Sequence, residues 1–372
     1  MTRIRRARTL ILSIEGFDLF GFNFITRHTT AIDELGFAIL RYSEPWIYSS
    51  DVFHFLGWSY DQYRISNEIS KLLSLGFLVA EGSQLSEIDI EYDDKWVWGT
   101  IAGNYHFGIK DPYYMTPEET SAWIEDRVSS IPLVPLYMTN EGLKEVVSLP
   151  PPRFDREVFS IMRARRSYRG FEPSASKSIS IEQLRDCLFS GFGIVGFIET
   201  PITDQGRLPL TMTPSGGARN PYEAYVYVRN VAGLRKGIYH YSAVDNTLGL
   251  IADSNLPTIG DILAIQPWFD NAAALIILVA NFERTMWKYP HPTGFRVVLL
   301  EAGHIAQNIA LAATANDLAS APTCAISDSV AQSLLGLNPV TQSVIYTVAI
   351  GVRSKIPTQA DAPMTIPNPN FE

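Results

Sequence analysis

The chain has 372 residues, 46% of them hydrophobic, and carries 30 Lys and Arg against 39 Asp and Glu, a formal charge of -9. This length predicts two structural units, and the acidic balance excludes a general nucleic-acid binder, whose basic surface must displace counterions from phosphates. Two cysteines, Cys187 and Cys324, exclude a disulfide framework and a zinc site and predict a reducing, cytoplasmic setting.

From the N-terminus, "MTRIRRARTLILSIEG" has about five apolar residues before Glu15, fewer than the roughly 7 to 15 of a secretory signal. Leu10 to Ile14 reads as the first strand. Helical spacing follows in "TAIDELGFAILRYS", in "SSDVFHFLG" behind a Ser/Asp cap, and in "SYDQYRISNEISKLLSLG", where Ile65, Ile69, Leu72 and Leu73 share a face and Gly76 ends the run. "FLVAEG" then reads as a strand. Three helices and a strand in this order predict a winged-helix-like α/β domain over residues 1–95. In an acidic chain such a domain is better suited to docking a peptide or partner, to which it offers a strand edge and a helical groove.

"KWVWGTIAGNYHFGIKDPYYMTPEE" is aromatic and lacks a clear period. It predicts a wrapping segment, within residues 96–153, that packs Trp96, Trp98, Tyr105 and Phe107 onto another surface. His106 reads as a satisfied histidine of that cluster in preference to a ligand or base. The prolines of "EVVSLPPPR", residues 145–153, predict a semi-rigid spacer and mark the start of a second domain, 154–372.

In that second domain "DREVFSIMRARRS" and "SIEQLRDCLFSGFG" read as helices, as does "FRVVLLEAGHIAQNIALAATAND", which is apolar nearly all round and therefore central. "YEAYVYVR", "GIYHYSA", "ALIILVAN" and "SVIYTVAIGV" read as strands. Without strict βαβ alternation, this mixture predicts an α+β layered fold. The longest apolar run, "AAALIILVANF", is shorter than the roughly 20 residues of a membrane span, so no transmembrane segment is expected.

Several motifs dissolve on inspection. "GFGIVG" from Gly191 matches G-x-G-x-x-G, but a helix precedes it where dinucleotide binding needs a strand. No P-loop or nucleophile elbow occurs. "EAGH" at Glu301 to His304 is a single Glu-x-x-His pair, whereas a di-iron site needs two, so no metal is expected. "RARRSYRGF", residues 163–171, crowds four arginines and a serine after an amphipathic helix, groups suited either to a phosphate monoester or to an exposed basic helix end.

Four separated signals then fall in order: "RRSYRGF" at 165, "PSGGARNPYEAYVYV" at 214, "WKYPHPTGFRVVLLEAGHIAQNIAL" at 287 and "VIYTVAIG" at 344. Over about residues 154–352 the sequence resembles the flavin-dependent nitroreductase superfamily, specifically its SagB-type branch of thiazole/oxazole-forming peptide dehydrogenases. The resemblance implies a nitroreductase-like flavoprotein domain forming an obligate homodimer, with FMN at the subunit interface and a long central helix. It implies an FMN phosphate on Arg165 and Ser167 helped by Arg166 or Arg169, with Arg353 as a second contact. The turn Pro214, Ser215, Gly216, Gly217 would lie along the isoalloxazine, Gln307 and Asn308 would line the cofactor site, and Lys288 and Tyr289 would match the Lys-Tyr pair of azoline oxidases.

These roles fit ordinary chemistry. Glycine lets backbone approach a flat ring, and a lysine desolvated enough to lose its proton can act as a base with a tyrosine as relay. Two departures from the family pattern bear on the substrate pocket. Asn316-Asp317 stands where a glycine often ends the central helix, with Asn expected to take the left-handed turn, and Gln342 stands where an acidic residue is common. The expected activity is FMN-dependent oxidation of azolines to azoles in a peptide, with oxygen as final acceptor and a cyclodehydratase as possible partner. The alternatives are a flavin oxidoreductase acting on a small molecule or carrier-bound intermediate, and a flavin-free scaffold subunit.

Overall fold

The computed structural model describes residues 2–130, 157–173, 177–199 and 207–356. The triple-proline spacer at 145–153 lies outside the described residues. The chain begins with β1 (Arg3–Arg6), a three-stranded meander of β2 (Leu10–Glu15), β3 (Asp18–Asn23) and β4 (His28–Ile32), then α1 (Glu34–Tyr42), β5 (Ile47–Tyr48), α2 (Ser49–Leu56), α3 (Gln62–Ser74) and β6 (Leu78–Ala80). The three helices and following strand come in the order expected. The first strand is Arg3–Arg6, ahead of Leu10–Glu15; it lies between β5 and β6 in one antiparallel sheet. β1 needs no apolar alternation because Arg5 is buried against Asp89 at 2.6 Å, and the same carboxylate accepts from the Arg8 N–H at 2.7 Å. Ile65, Ile69 and Leu72 of α3 pack on Ile39, Leu40 and Leu78, as the helical period requires.

Next come α4 (Gln84–Lys95), α5 (Gly99–Gly108) and α6 (Pro117–Ser130). Aromatic residues that follow α4 pack against the second half. Trp96, Trp98, His106 and Phe107 make ring contacts among themselves, and Trp96, Trp98 and His106 also contact Phe282 and Phe295 of the second half. Of the four rings expected to pack there, Tyr105 stays exposed, edge-on to Phe295. One core cluster therefore runs from Phe24 and Tyr92 through Trp98 to Phe295.

The second half supplies α7 (Glu157–Ala164), α8 (Ile181–Phe192), the hairpin β7 (Ile194–Glu199) and β8 (Arg207–Thr211), β9 (Tyr222–Val228), β10 (Gly237–Ser242), β11 (Thr247–Ala252), α9 (Ile259–Ile262), β12 (Ala274–Asn281), α10 (Phe282–Met286), α11 (Thr293–Ala315), β13 (Ala319–Thr323), α12 (Asp328–Leu335) and β14 (Gln342–Gly351). Six strands form an antiparallel sheet in the order β11-β10-β9-β12-β14-β13. The apolar run of β12 is explained by its place between β9 and β14, with seven of its eight residues buried. "GFGIVG" runs from the end of α8 into β7, and a Cβ at Gly191 would stand 3.0 Å from Ile305 and Ile309, so this glycine lets α8 close onto α11.

α11 is the central helix. It is rich in alanine, the best helix former, and packs on α8 and β14. At 23 residues it is long and apolar enough to cross a membrane by length and composition alone, yet Val298, Ala302, Ile305, Ala306 and Ile309 are buried in the core. Arg296, Leu300, Gly303, His304 and Gln307 form an exposed stripe along it. The helix ends at Asn316, whose φ is -97°, and the left-handed turn falls to Asp317 at φ 56°, one residue later than expected.

Candidate functional site

The turn ahead of β9 is strained. Gly217, Ala218 and Asn220 have φ of 64°, 54° and 45°, and left-handed backbone at a non-glycine residue is tolerated only where its surroundings fix it. The reason for glycine lies in the protein itself. A Cβ at Gly217 would stand 2.5 Å from Tyr289 Oη and 2.7 Å from Lys288 Nζ, and one at Gly216 would stand 2.5 Å from Val297 Cγ1 on α11. The fold thus brings together two of the sequence signals: the Pro214–Gly217 turn and the Lys288–Tyr289 pair. Lys288 is exposed and Tyr289 half-buried, so the chain does not supply the desolvation expected around the lysine.

Three supports hold this arrangement. Asn220 N–H donates to Ser215 Oγ at 2.8 Å. Below the turn, Glu301 accepts from the Gly216 N–H at 3.3 Å, and burial pushes its carboxyl above the ordinary range while bonds from Ser215 and Gly216 oppose the rise. From the N-terminal half, the fully buried Trp98 donates its indole N–H to the Tyr289 carbonyl at 2.9 Å. Gly294 keeps this contact open, since a Cβ there would meet Trp98 Nε1 at 2.8 Å.

Asn308 reaches the residue just ahead of this turn. Its amide donates to the Ser190 carbonyl at 3.2 Å and to Thr213 Oγ1 at 3.1 Å, tying α11 to α8 and to the segment after β8. Gln307 lies on the exposed stripe.

The arginine cluster stands at the edge strand. Ser167 bridges Ser320 of β13, and Tyr168 N–H donates to the Ser320 carbonyl at 2.9 Å. Arg353 follows β14, bridges Phe171 and stacks its guanidinium over the Tyr168 ring at 4.4 Å. Arg165 donates to Ser167 Oγ at 3.4 Å, while Arg166 turns to the carbonyls of Arg163 and Arg165 at 2.7 Å each. Among the described residues neither Arg165 nor Arg169 meets a carboxylate within ion-pair reach. Ser320 Oγ is buried without a hydrogen-bond partner. Guanidinium groups, a hydroxyl and an orphaned buried oxygen fit a phosphate monoester such as that of FMN.

The two groups lie at opposite ends of the sheet. Ser320 pairs with Ile350, whereas Ser343 pairs with Ala280 and Ala280 with Tyr222, which follows the glycine turn. At about 3.4 Å per residue and about 4.8 Å per strand, Ser320 and Tyr222 are roughly 24 Å apart along the strands and about 14 Å across them.

A cleft of about 540 Å³ opens between the end of α5 and the sheet, with His106, Lys110, Phe295, Cys324, Asp328 and Ser343 among its walls. The sequence did not mark it, since its walls come from four distant stretches. His106 does sit in the aromatic cluster, but its Nε2 is buried with no partner, so it is not satisfied as expected; burial holds its imidazole well below its usual range. Burial lowers the Lys110 amine to about 8 and raises the Asp328 carboxyl.

The nitroreductase family model matches residues 162–352. A protein of Methanocaldococcus jannaschii described as a nitroreductase is 31% identical over 176 residues, 47% of this chain and 82% of that protein. The trifolitoxin-processing protein TfxB of Rhizobium leguminosarum bv. trifolii is 34% identical over 142 residues, 37% of this chain and 38% of its own length. Among solved structures, a chain of the E. coli microcin synthetase McbBCD complex with truncated pro-MccB17 bound is similar at a TM-score of 0.47 and 19% identity, covering 74% of this chain and 99% of that one. With more than half of its length inside the family model, the chain belongs to the nitroreductase family.

Proposed function

We propose that this protein is an FMN-dependent dehydrogenase that oxidises azoline rings to azoles in a peptide, working as a homodimer. The reading rests above all on the close approach of Lys288 Nζ and Tyr289 Oη to Gly217, which leaves no room for a Cβ there, beside the left-handed Ala218 and Asn220, since strain of this kind collects where geometry matters to chemistry. The similarity to TfxB, described as a trifolitoxin-processing protein, supports a processing role.

Arg165 and Ser167, with Arg169 and Arg353 beside them, would hold the FMN phosphate, and the orphaned Ser320 Oγ adds a further polar group. FMN, when bound, supplies the acceptor for the hydride leaving the azoline. Because the phosphate cluster and the glycine turn of one chain stand at opposite ends of the sheet, the turn that meets a given flavin comes from a second copy. The exposed stripe of α11, including Leu300 and Gln307, offers the surface for that copy. Lys288 Nζ would take the ring proton that accompanies hydride loss, with Tyr289 Oη orienting it or relaying the proton outward. Trp98 fixes the backbone from which both project. The N-terminal half, with its short edge strand β5, would dock the peptide or a cyclodehydratase partner.

The test is a visible spectrum and a mass measurement. FMN-loaded protein should remove two hydrogens, roughly 2 Da, from an azoline peptide, and Lys288→Ala should stay yellow while losing that conversion. A colourless protein that takes up no FMN refutes the proposal, and unchanged turnover in the variant removes Lys288 from the mechanism.

A further inference from the structure

Helix α10 is tied to the strained turn by two arginines. Arg284, within the helix, donates from Nη1 to the Asn220 carbonyl at 2.9 Å, and Arg219 returns a bond from its Nε to the Arg284 carbonyl at 2.7 Å. The side chain of each arginine thus grips the main chain of the other's segment. At the start of the helix, the Asn281 N–H donates to the Pro221 carbonyl at 2.7 Å. Asn220 holds φ 45°, a conformation that persists only where its surroundings over-determine it. A guanidinium on its carbonyl supplies a charge-assisted bond, stronger than a neutral one.

The reach of Arg284 is set in turn by Glu223 on β9. One carboxylate oxygen accepts from Arg284 Nη2, and the other lies 2.9 Å from His240 Nε2 on β10. Held from both sides, this carboxylate keeps the guanidinium spread as a planar fork, with Nη1 on the turn and Nη2 on the sheet. Arg284, Glu223 and His240 are all half-buried, and ion pairs so open to solvent add little to stability. Their effect is on orientation.

The segment they orient is the one that carries the Lys-Tyr pair. α10 ends at Met286, and the N–H groups of Lys288 and Tyr289 donate back to the Thr285 carbonyl at 3.1 and 2.9 Å. Arg219 also lies over the ring of Trp287, 4.6 Å from its centroid. Whatever fixes α10 on the turn therefore fixes Lys288 Nζ and Tyr289 Oη against Gly217.

We propose that Arg284, seated by Glu223, and Arg219 are positioning residues that lock α10 to the turn and set where Lys288 Nζ and Tyr289 Oη stand over Gly217. The inference rests on the reading of that pair as the base and its relay, and extends the reacting unit to residues that touch neither substrate nor cofactor.

Two measurements on the full-length chain test this. The first is hydrogen exchange read by mass spectrometry. Amides of residues 282–289 should exchange at least about tenfold faster in Arg284→Met and in Arg219→Met, while those of β14 and α8 keep their wild-type rates, because one segment opens and the fold does not. The second is azoline oxidation. In Arg284→Met the kcat should fall at least about tenfold through misplacement of the base, with FMN content and the KM for the peptide unchanged. Arg284→Lys keeps the charge without the fork and should recover only part of that loss. Exchange that is unchanged in both arginine variants, or faster throughout the chain, overturns the lock. Faster local exchange with an unchanged kcat overturns its part in positioning, and so does a loss that appears in KM alone; each of these results leaves the FMN reading standing. A wild type that oxidises no azoline, with the local exchange pattern intact, overturns the reading of the Lys-Tyr pair and keeps the lock.

Discussion

Gly217→Ala isolates what the strained turn does. The substitution asks alanine to hold φ 64°, which costs about 1–2 kcal/mol for a residue with a Cβ. The same Cβ would stand 2.5 Å from Tyr289 Oη and 2.7 Å from Lys288 Nζ, where ordinary contact begins at 3.4 Å. Both neighbours are the far ends of side chains, so the clash is relieved by moving them about 1 Å, and the fold is not lost. A displacement of that size in a reacting group lowers rate by about 100-fold. The expected outcome is therefore asymmetric: a stability loss of at most about 2 kcal/mol, FMN content close to the wild type, and azole formation reduced about 100-fold.

Urea unfolding, flavin absorbance and the mass change of an azoline peptide measure the three quantities. Tyr289→Phe sharpens the test by removing the Oη that the Cβ meets. In that background Gly217→Ala should retain its backbone cost but lose part of its clash, so the two substitutions should be non-additive. Turnover within threefold of the wild type, or a loss fully explained by missing FMN, would refute the reasoning.

Two further outcomes follow from the supports of the turn. Burial raises the Glu301 carboxyl above its ordinary 4.5, so the folded chain holds that proton to higher pH than the unfolded one, and stability declines as pH rises from about 4.5 through the raised value. Glu301→Gln should flatten this decline and gain on the wild type at pH 8 relative to pH 4.5, measured by urea midpoints; an equal difference at both pH values contradicts the assignment. Trp98→Phe keeps the ring but leaves the Tyr289 carbonyl without its donor, a cost of about 1–3 kcal/mol if the carbonyl stays buried. Lys288-dependent turnover should fall while flavin content holds, and unchanged turnover would show that the bond does not position the pair.

The α+β second half was legible because its signals are strong: β12 and β14 are long apolar runs, and α11 combines high helix propensity with apolar residues on nearly every face. Less of the first half could be read. "RIRR" forms a strand through the Arg5–Asp89 pair, a partner more than 80 residues away. α5 forms from "GTIAGNYHFG", whose glycines and aromatics favour no helix, because ring contacts with Phe282 and Phe295 hold it. At the site, the arginines, the glycines and the Lys-Tyr pair announced themselves as local motifs. In the sequence Glu301 stands out only within a single Glu-x-x-His pair that predicts no metal, and Lys110 does not stand out at all. Their environments come from packing: Glu301 from the turn that folds over α11, Lys110 from the closing of α5 on the sheet.

The same packing bears on how the two halves cooperate. If the wrapping segment merely covered apolar surface, Phe or Leu would serve at position 98 as well as Trp. Instead the indole N–H is directed at the carbonyl of Tyr289, and Gly294 is kept clear of it. A few residues on, the same segment places His106 and Lys110 along the cleft. The N-terminal half thus meets the second half in two places, the Lys-Tyr loop and the cleft beside β13. A peptide that docked on the first half and shifted α5 would move both together, which gives binding of a substrate's distant portion a physical route to the reacting groups.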